Sequence, residues 1–502
     1  METSITSGPA ISKKTVPAAK GIKGFLPLLV LFVGMVSCTS TPPEVEPLVQ
    51  IPEQFTASGK LPLPEKWWQS FDDPELHRLI EEALADNLNL QSAWDRLAQA
   101  EAIARREGAE LKPTLDVLAG ASRTGTRREL STGSKDTDYF DEYSLGVQAG
   151  YEVDLWGRIR SNRDAAELDA RASAEDLQAV AITLSAQVAM TWYQLVEQYG
   201  QLELLGEQLE TNRKVQELVT LRFRRGKVGA ADVLRQQQLV ESSRGQIDRV
   251  DSRAMVLEHQ LAVLLGHPPM EPMAEKENEL LDLPPLPDSG LPLELIRRRP
   301  DIRLAYHDVL AADRRVASAI AERFPRLSLS ARADTSAEEV GDLFETWLAS
   351  IAANLLGPIL DGGRRKAEVD RRRALLSERL HDYSQVILDS LGEVEDALVQ
   401  ERKQRDFIAS LVKQLEISDQ VIASIRDSYL KGAADYLRVL ETLVSNQSLQ
   451  RNLLEARREL IEYRIDLYRA LAGGFEMPRP ELAALKEGQR DASREPQGSD
   501  PE

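Results

Sequence analysis

Tyr429-Leu430-Lys431-Gly432-Ala433-Ala434-Asp435-Tyr436-Leu437-Arg438-Val439-Leu440-Glu441 interrupts an otherwise very long helical pattern. The chain carries nearly the same stretch once before, as Phe223-Arg224-Arg225-Gly226-Lys227-Val228-Gly229-Ala230-Ala231-Asp232-Val233-Leu234-Arg235. With Gly226 set on Gly432 the two align without a gap, Phe223 on Tyr429, Val233 on Val439 and Leu234 on Leu440. An aromatic, a glycine three residues on and a short run of small residues before a new helix describe the tip of a helical hairpin. Glycine takes the left-handed conformation that ends the first helix without a steric penalty. Two tips in one chain indicate an internal duplication.

The duplication extends outward from the tips. Before the first, a helical pattern reaches back to about Ile159, a span of about 95 to 100 Å at 1.5 Å per residue. After it a helix runs from Asp232 to Leu265, where Gly266-His267-Pro268-Pro269 stops it. Before the second tip the pattern reaches back to Asp361-Gly362-Gly363-Arg364; after it a last helix runs to Leu471. Leu376, Leu380, Tyr383, Ile387, Leu391, Val394 and Leu398 step by three or four along a coiled-coil seam, so these helices lie side by side.

Each long helix is preceded by strands. Tyr143, Leu145, Val147, Ala149, Tyr151, Val153 and Leu155 alternate with Ser144, Gly146, Gln148, Gly150, Glu152 and Asp154, the period of two of a strand with one apolar face. With Leu115, Val117 and Ala119 after Pro113 they form a β-hairpin around a polar loop from Thr124 to Asp138. In the second half Leu327, Leu329 and Ala331 follow Pro325, and a strand of weaker alternation spans Thr346 to Leu360. One helix precedes each strand pair, Pro74–Glu110 and Pro300–Arg323, and Gly157 and the Gly362-Gly363 pair turn strand into helix. The offset between halves stays at about 205 to 212 residues, as one duplicated unit requires.

The chain has 502 residues and a net charge of −19, with 28% charged and 5% aromatic residues. Such an acidic balance excludes a nucleic-acid partner, which needs a basic face. Basic runs such as Arg297-Arg298-Arg299 are local and read as solvated helix ends. Lys13, Lys14, Lys20 and Lys23 precede an apolar run from Phe25 to Val36 that ends in Met35-Val36-Ser37-Cys38, a secretory signal rather than a membrane span. The lone cysteine, Cys38, resembles the lipidated residue of a bacterial lipobox, with Met35 where leucine is usual, and Thr39 resembles the pattern sorted to the outer membrane. No later stretch is expected to be apolar enough for a transmembrane helix, so any crossing has to be a closed β-barrel. The expected divisions are 1–37, signal peptide; 38–66, lipidated extended linker; 67–267, first repeat; 268–291, inter-repeat linker; 292–474, second repeat; and 475–502, disordered polar tail. Within them Trp67, Trp68 and Phe71 read as an anchor before the Asp73-Pro74 helix start.

Together, Glu152-Val153-Asp154-Leu155-Trp156-Gly157-Arg158, Gly357-Pro358-Ile359-Leu360-Asp361-Gly362-Gly363-Arg364, Arg299-Pro300-Asp301-Ile302 and the two tips carry a resemblance over about Trp67 to Gly474. The chain resembles the TolC-like outer-membrane efflux proteins, most closely their lipoprotein branch of OprM or NodT type. The resemblance implies a mainly α fold with a small β part. Duplicated helical hairpins would form a periplasmic α-barrel, and four strands per protomer would enter a trimeric twelve-stranded transmembrane barrel. It implies a passive channel of a tripartite efflux or type I secretion-like system for small molecules such as drugs. The partners would be a periplasmic adaptor and an inner-membrane transporter. The alternative is a lipid-anchored periplasmic coiled-coil scaffold without a pore.

The residues offer no enzyme chemistry. His77, His259, His267, His307 and His381 lie on separate segments without ligand spacing, and there is no phosphate-binding glycine loop. No cofactor or metal is expected. The functional residues belong at the tips. In the family, acidic positions after the second tip line the closed aperture; here they correspond to Arg438 and Glu441. Glu441 keeps the sign and Arg438 reverses it, which suggests a latch in which Arg438 pairs with Glu441 or with Asp232. Ordinary helix-surface pairing is the alternative. Leu437 and Tyr436 are candidates for an apolar constriction or for seam packing. Gly226, Gly229, Gly432, Ala433 and Ala434 are small enough to make the turns, to admit an adaptor's helices, or both.

Overall fold

The computed structural model describes residues 46–129, 135–270 and 277–477. The chain divides after Glu46, and the architecture belongs to the unit from Pro47 onward. The signal segment 1–37, Cys38 and residues 478–502 lie outside the described residues.

The elements are α1 (Pro74–Asp86), α2 (Leu88–Ala109), β1 (Thr114–Glu129), β2 (Lys135–Val153), α3 (Arg158–Arg224), α4 (Ala230–Leu264), α5 (Pro292–Arg298), α6 (Pro300–Ala321), β3 (Arg326–Ala337), β4 (Leu348–Leu356), α7 (Arg364–Leu430) and α8 (Tyr436–Leu471). Helix, strand pair, long helix, tip and shorter helix occur twice in that order.

The single helix expected over Pro74–Glu110 is two. The chain breaks at Asn87, whose side-chain oxygen accepts the Asn89 and Leu90 N–H groups and caps α2. Its amide nitrogen donates to the Leu264 carbonyl at 2.9 Å, at the end of α4. One asparagine thus joins α2 and α4 end to end, making a composite helix that lies along α3. The second repeat does this with a different residue. Arg299, 212 positions after Asn87, precedes α6 and donates to the Ala470 carbonyl at 3.0 Å, at the end of α8. Its guanidinium also pairs with Asp301 and with Glu393 of α7.

Helix α3 is the centre of the unit, packed against α2 and α4 and against α6 and α8; α7 packs on α6 and α8. This centrality corrects one expectation. By composition α3 does contain a window apolar enough to cross a membrane, but 67% of it is buried against other elements, so its apolarity serves the core. There Trp67, Trp68 and Phe71 are wholly buried with Trp192, Tyr193, Ile465 and Tyr468. Each such side chain contributes about 1.5–3 kcal/mol by burial. Asp73 caps α1 through the Leu76 N–H and accepts from Trp192 Nε1 and Tyr193 Oη, fixing the anchor to α3.

The strands form one antiparallel sheet in the order β1-β2-β3-β4. β1, β2 and β3 reach beyond the expected residues, whereas β4 is shorter than the expected Thr346 to Leu360; most of the polar loop expected over Thr124–Asp138 is strand, Thr126 opposite Asp138 and Glu129 opposite Lys135. The register puts Leu115 opposite Ala149, Val147 opposite Ala333, Tyr151 opposite Leu329 and Ala331 opposite Ile351. Directly opposed residues share a face. One face therefore carries the whole alternating set from Tyr143 to Val153 on β2 with its partners on the other three strands, all apolar except Thr335, which is buried and donates to the Leu343 and Thr346 carbonyls. The opposite face carries Ser144, Gln148, Glu152, Ser330, Arg332 and Asp334. The apolar face is uncovered: Ile351 is 90% exposed and Val117 73%. Above Ala121 it turns polar, where Arg123 pairs with Asp141 and lies over the Tyr139 ring.

Candidate functional site: the hairpin tips, the polar seam and the sheet

Both tips end their first helix in the same way. At the first, Gly226 has φ +67°, its N–H donates to the Phe223 carbonyl, and the Lys227 N–H donates to the Arg222 carbonyl. At the second, Gly432 has φ +77°, with Gly432 on Tyr429 and Ala433 on Ser428. These are the paired bonds of a Schellman motif, closed by a left-handed residue. Gly229 differs: at φ −82° it is extended and begins α4.

The helices that leave the tips are capped by carboxylates from different positions. Asp232 reaches back to the Gly229 N–H at 3.3 Å, whereas Asp435 accepts the Arg438 N–H from the cap position itself at 3.1 Å. The aligned position is therefore free to be Asp232 in one repeat and Arg438 in the other. Asp232 is also bonded to Arg235 at 3.3 Å. Among the described residues Arg438 makes no ion pair, so the latch to Glu441 or Asp232 is not formed within one chain. Arg438, Glu441 and Leu437 are exposed, while Tyr436 is buried in the seam. Gly226, Gly229 and Gly432 have open space where a Cβ would point. Ala433 is exposed, whereas Ala434 packs against the cluster of Val219, Tyr429 and Tyr436.

Arg222 lies over the Tyr429 ring at 4.2 Å. From the tips a buried polar seam runs along α3, α4 and α8. The Tyr436 hydroxyl donates to Gln236 Oε1, and Gln236 Nε2 donates to the Asn212 carbonyl at 2.7 Å. Asn212 and Gln447 exchange side-chain bonds, and Gln208 and Gln201 donate to the Gln447 and Arg451 carbonyls at 3.2 and 3.0 Å. Farther along, Arg464, 0% exposed, grips both oxygens of buried Glu401 at 2.8 and 2.6 Å and donates to the carbonyls of Pro284 and Pro285 in the inter-repeat segment. Sequence reading missed this seam, because Gln and Asn in a long polar helix read as solvated.

At the other end, the spacing of the hairpin motif has a local reason. Asp154 accepts the Ile159 and Arg160 N–H groups at the start of α3, Glu152 holds Arg158 in a two-pronged pair, and Trp156 stacks on Phe324 and donates to the Pro325 carbonyl. Gly157, Gly362 and Gly363 all take positive φ in the two strand-to-helix turns. Asp361 caps α7 through the Gly363 and Arg365 N–H groups, as Asp154 caps α3.

The family model for outer membrane efflux proteins matches residues 79–267 and 291–473, once on each repeat. The chain is 33% identical over 463 residues to the pyoverdine export outer membrane protein OpmQ of Pseudomonas aeruginosa, covering 89% of this chain and 96% of that protein. It is 27% identical over 454 residues to the cation efflux system protein CusC of Escherichia coli, covering 88% and 97%. The solved structure of the outer-membrane channel OprN superposes with a TM-score of 0.77 at 27% identity, covering 88% of this chain and all of that one. A duplicated long-hairpin fold, a sheet with one predominantly apolar face and these likenesses over nearly the whole length agree: the chain belongs to the outer membrane efflux protein family and is an outer-membrane efflux channel.

Proposed function

We propose that three copies of this chain close into one exit duct, anchored in the outer membrane by a shared barrel and by an acyl group on Cys38, and shut at the hairpin tips. The observation that carries this is the four-stranded sheet with one predominantly apolar face and two unpaired edges. Four strands cannot close around a bore, and exposed edges seek partners. Two copies would give eight strands, whose interior side chains fill, so three is the smallest ring with an open channel. Helices and strands share one order, with β1, α2 and α4 on one flank and β4 and α7 on the other. A head-to-tail ring joins unlike flanks. The apolar set on β2, Tyr143 to Val153, is as long as the roughly 9–11 residues a tilted strand needs to cross a bilayer. A periplasmic scaffold would have no use for such a face.

In the ring, the exposed Arg438 and Glu441 face copies of one another at the aperture. Arg438 of one chain pairs with Glu441 or Asp232 of the next, and three Glu441 carboxylates attract cations in the narrow pore. Opening separates α8 from α3 and exchanges the bonds of Gln208, Asn212, Gln236 and Tyr436. The open space at Gly226, Gly229 and Gly432 admits the helices of a periplasmic adaptor, which connects the duct to an energised inner-membrane transporter. The chain itself is a passive conduit.

The test is the mass of the detergent-extracted oligomer together with its single-channel conductance in a planar bilayer. A trimer with small, cation-selective openings, and larger openings in Arg438→Ala and Glu441→Ala, supports the reading. A monomer or dimer that never conducts overturns the duct, and unchanged closed-state leak in both variants overturns the latch.

A further inference from the structure

We infer that the groove between α4 and α8, floored by α3, is a binding site for small molecules bearing an oxyanion, and that it faces the bore. This rests on the duct reading and deepens it, because it names a class of cargo the duct retains. The groove encloses about 690 Å³, within the range of sites for drug-sized ligands.

Its charge is the reverse of the protein's. Arg249 and Arg253 from α4 and Arg451 from α8 converge on it. Among the described residues none of the three pairs with a carboxylate. Arg451 instead donates to the Gln208 amide oxygen at 2.6 Å, and burial pulls its pKa down with no acid to offset it. Arg458, on the same wall, pairs with Glu462 through Nη1. Two carboxylates line the groove. Glu455 is exposed, whereas Glu197 is buried, accepts amides from Gln198 and Gln201, and is pushed up in pKa by desolvation. The floor also holds an unmet polar atom, the buried Gln198 Oε1, and Arg458 Nε on the α8 wall is likewise unmet. Guanidiniums without counter-ions in a partly desolvated groove recognise carboxylate, phosphate or sulfonate by charge-assisted, two-pronged hydrogen bonds, and the unmet amide oxygen accepts from a hydroxyl or N–H of the same ligand.

The bore-facing side follows from α3. Gln194, Gln198 and Gln201 lie on the face opposite Ser185 and Trp192, which the segment 67–73 covers through bonds from Trp67 to Ser185 and from Trp192 to Asp73. Three copies of that covering segment could not sit inside a channel, so it lies outside the wall and the groove lies within.

Citrate is the probe, titrated at low salt into the full-length detergent-extracted protein by calorimetry. Arg249 and Arg253 are exposed, so Arg249→Gln with Arg253→Gln leaves the packing intact. The expected result is citrate binding that weakens about tenfold or more in the double variant, with no binding of the polycation spermidine. Absent binding, binding unchanged in the variant, or equal binding of spermidine overturns the site. Calorimetry needs no conduction, so a non-conducting protein that still binds citrate would sink the duct and leave the site standing. In the bilayer, citrate should block wild-type current at concentrations that leave the variant open; binding without block overturns the bore-facing assignment.

Discussion

Replacing Arg464 with methionine should be among the most damaging single changes in the helical unit. Arg464 is 0% exposed and Glu401 buried, and together they join α7, α8 and the inter-repeat segment at Pro284 and Pro285. Removing one partner of a buried ion pair costs about 3–5 kcal/mol, because the other charge is stranded. Here the low end applies to that part, since Arg405 still reaches Glu401 at 3.0 Å. Two carbonyls also lose a donor, at about 1 kcal/mol for a typical hydrogen bond. The expected loss is about 5 kcal/mol, roughly several thousandfold in the folded-to-unfolded ratio. Urea unfolding in detergent, read by tryptophan fluorescence, measures it, because Trp67, Trp68 and Trp192 sit in the adjoining core. Combining the change with Glu401→Leu should recover part of the loss, since an apolar pair strands no charge. A shift below about 1 kcal/mol for Arg464→Met, or a double variant worse than the single, would refute the reasoning.

Three further changes separate the parts of the fold. Gly226→Ala and Gly432→Ala should each destabilise a tip by about 1–2 kcal/mol, seen as faster amide exchange there, whereas Gly229→Ala, at an extended position, should not. Val147→Arg places a charge on the apolar sheet face and should cost about 2–4 kcal/mol of membrane insertion, while Gln148→Arg on the other face should insert and alter ion selectivity. Asn87→Ala removes the cap of α2 and the bond to Leu264, and should lower stability by about 1–2 kcal/mol in the same urea assay.

The fold was largely legible in the sequence because its signals are periodic and occur twice. The tips, the strand-to-helix turns and the alternation of β2 each appear as a local pattern. Strand ends were not legible, since Arg123 to Glu129 and Lys135 to Phe140 lie beyond the apolar band and look like loop; their pairing comes from the register set lower down. The break at Asn87 was hidden for a related reason. Its helical period continues through the kink, and the cap depends on a carbonyl 177 residues away. At the tips the glycines were readable and the latch was not, because Asp232 is engaged by its own helix and, among the described residues, Arg438 makes no ion pair. Arg464 and Glu401 looked like ordinary surface charges, because only tertiary packing buries them.

The claim on which the account depends is that the free edges β1 and β4 belong to different copies. Cysteines placed one at a time along Leu348–Leu356, each combined with a cysteine at Val117 and with Cys38 replaced by serine, would be oxidised in the assembled protein. The account predicts disulfide-linked species at two and three times the mass of the mature chain for the cysteines that fall opposite Val117, and none for the rest. Cross-links confined within single chains, or no cross-link at any position in protein that has inserted, would contradict it.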